Sequence, residues 1–341
     1  MKLWIRILLP VVLGVTLTGC SRPNVMEVDG FAEGTTYHVK FWRQQTFNLD
    51  TLRQEMEATL ADVDTQISTY RNDSSLENFN KNLSTDWQTL PQQVVDLLAI
   101  AQHVYEESHG CYDPTVKPLF DLWGFQSDVF HAPTPQQIAA TQQDVGFEKI
   151  ELDVVHHRAR KTIPQLSLDL SSMGEGYTAW RLSQVLERHD INNYLVEFGG
   201  DMMVKGHKPG GEKWRIAIER PLPNTMSVQK AVTINDESGV SINTSGTYRH
   251  FFDENGKVYP HILDPRTGAP VTHDLVSATV FGNDPRVSDA WATAMVCMGK
   301  TEGEDVAKKN QLKVFFIQQQ YNKLVESKSP VLKQSNGVTL E

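Results

Sequence analysis

The hydrophobic and polar positions of this chain change period repeatedly, and the changes mark out a series of strands and helices. Residues 34–41 (Gly-Thr-Thr-Tyr-His-Val-Lys-Phe) alternate and are rich in β-branched and aromatic side chains, which predicts a strand with a glycine at its mouth. From Leu49 to Ile67 the apolar residues Leu52, Met56, Leu60 and Val63 recur at helical spacing and predict an amphipathic helix, followed by a polar turn around Tyr70. A second helix is predicted from Pro91 to His109, with proline in its first turn and Gly110 past its end. Pro114 and Pro118 make residues 111–125 read as an ordered aromatic loop. Residues 134–145 read as a short helix and 151–163 as a hairpin. Its tip residues His156 and His157 suit a solvated turn better than a metal, because neighbours on a strand face opposite ways.

An apolar-alternating strand, Gln165–Asp169, then runs into Leu170-Ser171-Ser172-Met173-Gly174-Glu175-Gly176, and a helix leaves from Gly176 to His189 with Trp180, Leu182, Val185 and Leu186 as its stripe. Strands are predicted at 194–198, 214–218, 228–234, 240–243, 248–252, 276–281 and 314–317, with a long helix from Pro285 to Gly299. The tail beyond Ser327 is polar and poorly patterned. With no internal repeat and no low-complexity linker, one α+β domain from about residue 31 fits best.

Lys2 and Arg6 precede an apolar run, Ile7–Val15, that is short for a spanning helix and ends in Leu17-Thr18-Gly19-Cys20. This order resembles a bacterial lipobox. It implies a signal peptide over residues 1–19, lipidation of Cys20, a polar tether over 20–30, and a periplasm-facing envelope protein held at a membrane by several acyl chains. A net charge of −10 with no basic run argues against nucleic acid as a partner. Once Cys20 is set aside, Cys111 and Cys297 remain; a disulfide is open to them, but their spacing is no framework and favours two buried free cysteines.

Four constellations lie outside the core pattern. Ser171–Gly176 reads as a strand-to-helix turn whose glycines and free N–H groups could hold a phosphate, or as a plain capped turn. Asp289 and Thr293, four apart, share one helix face; they offer oxygens to a hard cation such as Mg²⁺ or Ca²⁺, or act as a cap and a buried threonine. Asn243–His250 is a hydroxyl-rich turn leading to Arg249. His261 enters a Pro- and Gly-held turn as a candidate base or as a structural histidine. Together they suit phosphoryl or nucleotidyl chemistry on a diphosphate.

These segments, taken in order, resemble the ApbE family of FAD:protein FMN transferases. The matching stretches are Gly34–Tyr37, Ser68-Thr69-Tyr70, Asp113-Pro114-Thr115 with Pro118-Leu119 and Leu122–Phe125, Asp169–Tyr177, and Phe198–Asp201. They continue through Thr244–Gly246, His261–Pro265 with Thr267-Gly268, and Asp289-Ala290 with Ala292-Thr293. The resemblance implies a single T-fold-like domain of mixed, mainly antiparallel sheets packed by helices. It implies FAD against Glu33, Tyr70, Cys111, Tyr112, Asp113, Asp169, Glu175 and Leu263, and Mg²⁺ on Asp289 and Thr293 with an oxygen of Ser172 or Gly174. His261 would activate the incoming hydroxyl, and Arg249 would offset diphosphate charge. The acceptor would be a threonine of NqrC- or RnfG-like subunits of membrane redox pumps, in the inner membrane, although Ser21 after the lipidated cysteine is compatible with outer-membrane sorting. Many relatives have Met at Glu33 and Lys at Glu175, and the second departure places an anion beside the FAD phosphates. The alternatives are a metal-dependent hydrolase cleaving FAD to FMN and AMP, and a non-catalytic flavin-binding lipoprotein.

Overall fold

The structure is a computed structural model that describes residues 24–223, 225, 227–321 and 323–341; the expected signal peptide, over residues 1–19, and Cys20 lie outside the described residues. Its centre is an eight-stranded antiparallel sheet in the order 26–32, 35–42, 193–198, 201–205, 240–246, 275–282, 313–320 and 323–328. The inner strands are apolar on both faces because both are covered. Along 313–320, Val314 and Phe316 face one core while Phe315 and Ile317 face the other.

The helices, in chain order, are α1 (Leu49–Ile67), α2 (Ser75–Lys81), α3 (Gln92–Glu107), α4 (Lys117–Trp123), α5 (Pro135–Thr141), α6 (Ser171–Arg188), α7 (Pro285–Lys309) and α8 (Pro330–Gln334). The sheet carries α6 and α7 on one face, with α1 and α3 packed outside them. The other face carries a three-stranded sheet, 338–340, 228–234 and 215–219, through Trp214, Ile216, Ile218, Val232 and Ile234.

Several sequence expectations change. The proposed tether is strand in its second half: Met26–Ala32 pairs with Thr35–Trp42, Ala32 opposite Thr35, through a two-residue turn. Glu33 (φ 52°) and Gly34 (φ 83°) both take the left-handed conformation of a primed hairpin turn. Residues 165–169 are not strand, and the helix begins at Ser171 instead of Gly176. Pro118 does not bar α4, since it sits in the first turn, where its missing N–H has no helical partner to lose. The helix expected to end at Gly299 resumes after a break there (φ 73°). Thr244–Gly246 is strand, and the polar tail adds α8 and a strand paired with 228–234.

Cys111 and Cys297 are joined in a disulfide across 186 residues, against the expectation of free thiols. The chain turns back after α3 through His109 (φ 55°) and Gly110 (φ 78°), which lays Cys111 on the buried face of α7. A cross-link closing so long a loop restricts the unfolded chain strongly. Replacing both cysteines by serine is expected to lower unfolding stability by about 2–4 kcal/mol, read as a lower denaturation midpoint; an unchanged midpoint would show that the bond adds nothing.

Candidate active site

A cleft of about 810 Å³ opens between the end of the large sheet, the first turns of α6, the loop after Cys111 and the edge of the three-stranded sheet. Small-molecule sites span about 300–1,000 Å³, so this one is large. Every predicted site residue among those described lines it except Gly174.

The start of α6 is organised by helix contact. A methyl group at Gly176 would lie 2.3 Å from the Pro285 carbonyl and 2.7 Å from Asp289 Cβ, so this glycine lets α6 and α7 touch. The Gly176 N–H donates to Asp289 Oδ2 at 2.9 Å. The N–H that a phosphate loop would offer to a ligand is therefore taken by the protein's own carboxylate. The Ser172 carbonyl lies 3.5 Å from Thr293 Oγ1, and that hydroxyl also meets Ser245 Oγ at 3.1 Å. Gly174 is inside the helix, and its carbonyl accepts the Thr178 hydroxyl at 2.9 Å. Of the two alternative oxygens from this turn, Ser172 faces Thr293 and Gly174 does not.

Asp201, missed as a site residue on sequence, joins this group. It follows Gly199 (φ 64°) and Gly200 (φ 111°), whose left-handed backbone turns the chain at the strand end. One Asp201 oxygen accepts the Thr244 N–H at 3.1 Å; the other has no hydrogen-bond partner among the described residues. Burial and then the neighbouring Asp201 and Glu175 raise the Asp289 carboxyl well above its usual range, and burial likewise raises Asp201. Glu175 packs over Gly199, where a methyl group would come within 2.2 Å of its Oε1, and burial with the nearby Asp201 pushes it up to about 8. Buried carboxylates with no paired ammonium or guanidinium among the described residues, beside a hydroxyl and a carbonyl, are an oxygen-only donor set that fits a hard divalent cation.

The Glu175 anomaly eases in this setting. At neutral pH and without metal the buried carboxyl keeps its proton and can donate to a phosphate or ribose oxygen. Without added divalent metal, Glu175→Gln is expected to bind FAD within about threefold of wild type at pH 7, since one neutral hydrogen-bonding group replaces another. Above pH 8 only the wild type should weaken as it ionises. Parallel flavin-fluorescence titrations across pH check this, and equal weakening of wild type and variant above pH 8 would disprove this role of the proton.

His261 Nδ1 lies 2.9 Å from the His250 carbonyl and donates to it, so Nε2 carries the lone pair. Burial pushes the ring down to about 4, and His250 stacks on it at 5.4 Å. Glu33 reaches Thr178 Oγ1 at 3.3 Å, and burial raises it to about 7. Tyr70 is 84% exposed on the rim, a free ring face instead of a packing residue. Tyr112 is buried with its hydroxyl 3.2 Å from Ser172 Oγ, Asp169 caps Ser171 N at 2.8 Å, and Leu263 forms apolar floor. Asp113 borders the cleft, but its oxygens take the Thr115 N–H and hydroxyl and the Phe147 N–H, so it shapes the loop. Arg249 is exposed and ion-paired with Glu219, and its charge still acts on Glu175.

A sequence profile described as the ApbE family matches residues 34–316. The chain belongs to the ApbE family. Its relatives include the FAD:protein FMN transferase of Haemophilus influenzae, 35% identical over 98% of both chains. Among solved structures, the flavin transferase ApbE from Vibrio cholerae is 33% identical with a TM-score of 0.82, covering 92% of this chain and 99% of its own. The apo flavinyl transferase ApbE of Pseudomonas stutzeri is 31% identical with a TM-score of 0.84, covering 93% and 98%. The α+β architecture of mainly antiparallel sheets and helices is thus that of ApbE flavin transferases.

Proposed function

We infer that this protein is an FAD:protein FMN transferase, which moves the FMN half of FAD onto a hydroxyl of a protein acceptor and releases AMP. The observation that carries the reading is one cleft lined both by oxygen donors, Asp289 and Thr293 with Glu175, and by a neutral histidine with a free Nε2. FAD would enter with its flavin ring against Tyr70 and its diphosphate toward the first turn of α6.

Asp289, Thr293 and the Ser172 carbonyl would hold Mg²⁺, with Ca²⁺ as a second candidate. When bound, the ion polarises the diphosphate and offsets charge on the leaving phosphate. His261 Nε2 takes the proton of the acceptor hydroxyl as its oxygen bonds to the phosphorus of the FMN half. The bond from that phosphorus to the oxygen of the AMP half breaks, and AMP leaves with the bonding pair. Arg249 can add positive charge at the rim if it exchanges Glu219 for a phosphate oxygen.

The acceptor is a threonine on NqrC- or RnfG-like subunits, and the protein is tethered to the bacterial envelope through lipid on Cys20, facing the periplasm. Such anchoring confines enzyme and acceptor to one thin layer and raises their effective concentration. The test mixes lipid-free protein, FAD, Mg²⁺ and a soluble NqrC-like domain, then reads flavin fluorescence on the denatured acceptor and free AMP. Labelled acceptor with AMP supports transfer. AMP without label indicates FAD hydrolysis, and bound FAD with neither product indicates a flavin-binding lipoprotein.

A further inference from the structure

Strand 215–219 ends the three-stranded sheet, with 228–234 on one side and, among the described residues, no strand on the other. Four consecutive residues, Ile216, Ala217, Ile218 and Glu219, line the active-site cleft. Side chains on a strand alternate between faces, so four in a row can border one cleft only if the strand presents its backbone edge to it. Ile216 and Ile218 bury their side chains in the core against the large sheet.

The ladder shows which groups are free. The Trp214 carbonyl accepts the Ile234 N–H at 3.0 Å, and the register continues with Ile216 opposite Val232 and Ile218 opposite Lys230. In an antiparallel pair, bonded and unbonded positions alternate, so the even-numbered residues are spent on 228–234. Ala217 N–H and C=O therefore point away from the sheet and into the cleft. Edge strands are usually guarded by charge, proline or a covering element. The outer strands of the large sheet follow that rule, with Glu27 and Asp29 at one edge and Lys323, Glu326 and Lys328 at the other. Strand 215–219 keeps its charges at its two ends, Arg215 and Glu219, and the Ile216-Ala217-Ile218 stretch between them carries no charge and no proline, with Ala217 exposed. This edge borders the cleft.

We propose that the protein acceptor binds by strand addition, an extended segment pairing with the free edge at Ala217 so that its hydroxyl residue is held over the diphosphate. This rests on the transferase reading, which requires a polypeptide to reach the same cleft as FAD. Backbone pairing supplies affinity with little demand on sequence, and the alternate acceptor side chains that point into the cleft supply selectivity. It also fixes the rotation of the acceptor backbone, which a single hydroxyl entering freely would not.

Proline at 217 removes the outward N–H without touching the ladder to 228–234, because that N–H is not used there. Ala217→Pro is expected to raise the KM for the soluble acceptor domain about tenfold, the loss of one well-placed hydrogen bond with crowding of its neighbour. FAD affinity and kcat should stay within about twofold, and Ala217→Ser, which keeps the N–H, should match wild type. An unchanged KM in the proline variant overturns strand addition while leaving the transferase reading intact; a wild type that labels no acceptor overturns the transferase reading itself. If proline also lowers FAD affinity or folding, hydrogen exchange of the wild type decides. With an acceptor whose threonine is replaced by valine, the Ala217 amide should exchange at least about tenfold more slowly, and unchanged exchange overturns the pairing.

Discussion

Asp289→Asn is expected to reduce transfer by about 10²–10³-fold, the range for losing one preorganised electrostatic contact at a reacting centre, while making the metal-free protein more resistant to heat. The two effects have one cause. Asp289 is 7% exposed and shares its surroundings with Asp201 and Glu175, and the Gly176 N–H is the backbone donor directed at it among the described residues. A carboxyl whose folded pKa lies above its unfolded one binds more protons when folded. Stability is then full below the unfolded value, near 3.8, and is lost as pH rises through the folded value. Asparagine has the same shape and no charge to desolvate, so the gap between variant and wild type should open as pH rises from about 4. One kcal/mol of relief corresponds to about 2–4 °C in a domain of this order of size. Added Mg²⁺ should raise the melting temperature of the wild type by mass action and leave that of the variant unchanged. Full turnover by Asp289→Asn would remove Asp289 from the metal site, and a metal-free variant less stable than wild type would show that the carboxylate is a structural cap. Gain in stability with loss of activity is the signature of a site assembled for a ligand.

What could be read in the sequence follows from whether a residue's role is local. Helices with a regular stripe, such as Leu52, Met56, Leu60 and Val63 on α1, were legible because one buried face imposes one period. The strands 228–234 and 275–282 were legible from their β-branched and aromatic runs. The strand 26–32 was not, because it is the outer strand of the sheet and only Val28 is buried; its polar residues look like tether. On sequence the glycines of the α6 turn fit either space for a phosphate or a plain capped turn, whereas Gly176 makes space for α7, 109 residues on from Gly176 at Pro285. Nothing within the segment distinguishes those two reasons for a missing side chain. The same holds for Cys111 and Cys297, which meet only because α3 packs on α7. Asp201 was visible in a Gly-Gly-Asp turn but gained its meaning from Asp289, which sits beside it across the fold. His261, Asp289 and Thr293 stand out in the sequence because each carries chemistry in its side chain, and the fold brings them to one cleft; Ala217, whose interest lies in its backbone, left no signal.

His261→Gln is expected to lower the transfer rate by about 10²–10⁴-fold, the usual contribution of a general base, with FAD affinity within about threefold of wild type. The ring is committed to one tautomer by the Nδ1 bond to the His250 carbonyl, and glutamine can keep a donor there but offers no comparably basic atom at the position of Nε2. The pH profile carries the more specific expectation. Burial pushes His261 down to about 4, so the base is already free of its proton throughout the neutral range. Single-turnover labelling should then show no acid limb near the ordinary histidine value of 6.5, and the rate should fall only as pH approaches about 4. Folding gives the opposite sign to that of Asp289. A histidine depressed in the folded state binds more protons when unfolded, so between 6.5 and 4 stability declines as pH falls, and His261→Gln should remove that decline. An acid limb near 6.5 in the wild type that vanishes in the variant would keep His261 as the base but refute its burial. A limb that persists unchanged, with a rate near wild type, would assign the proton transfer to another group.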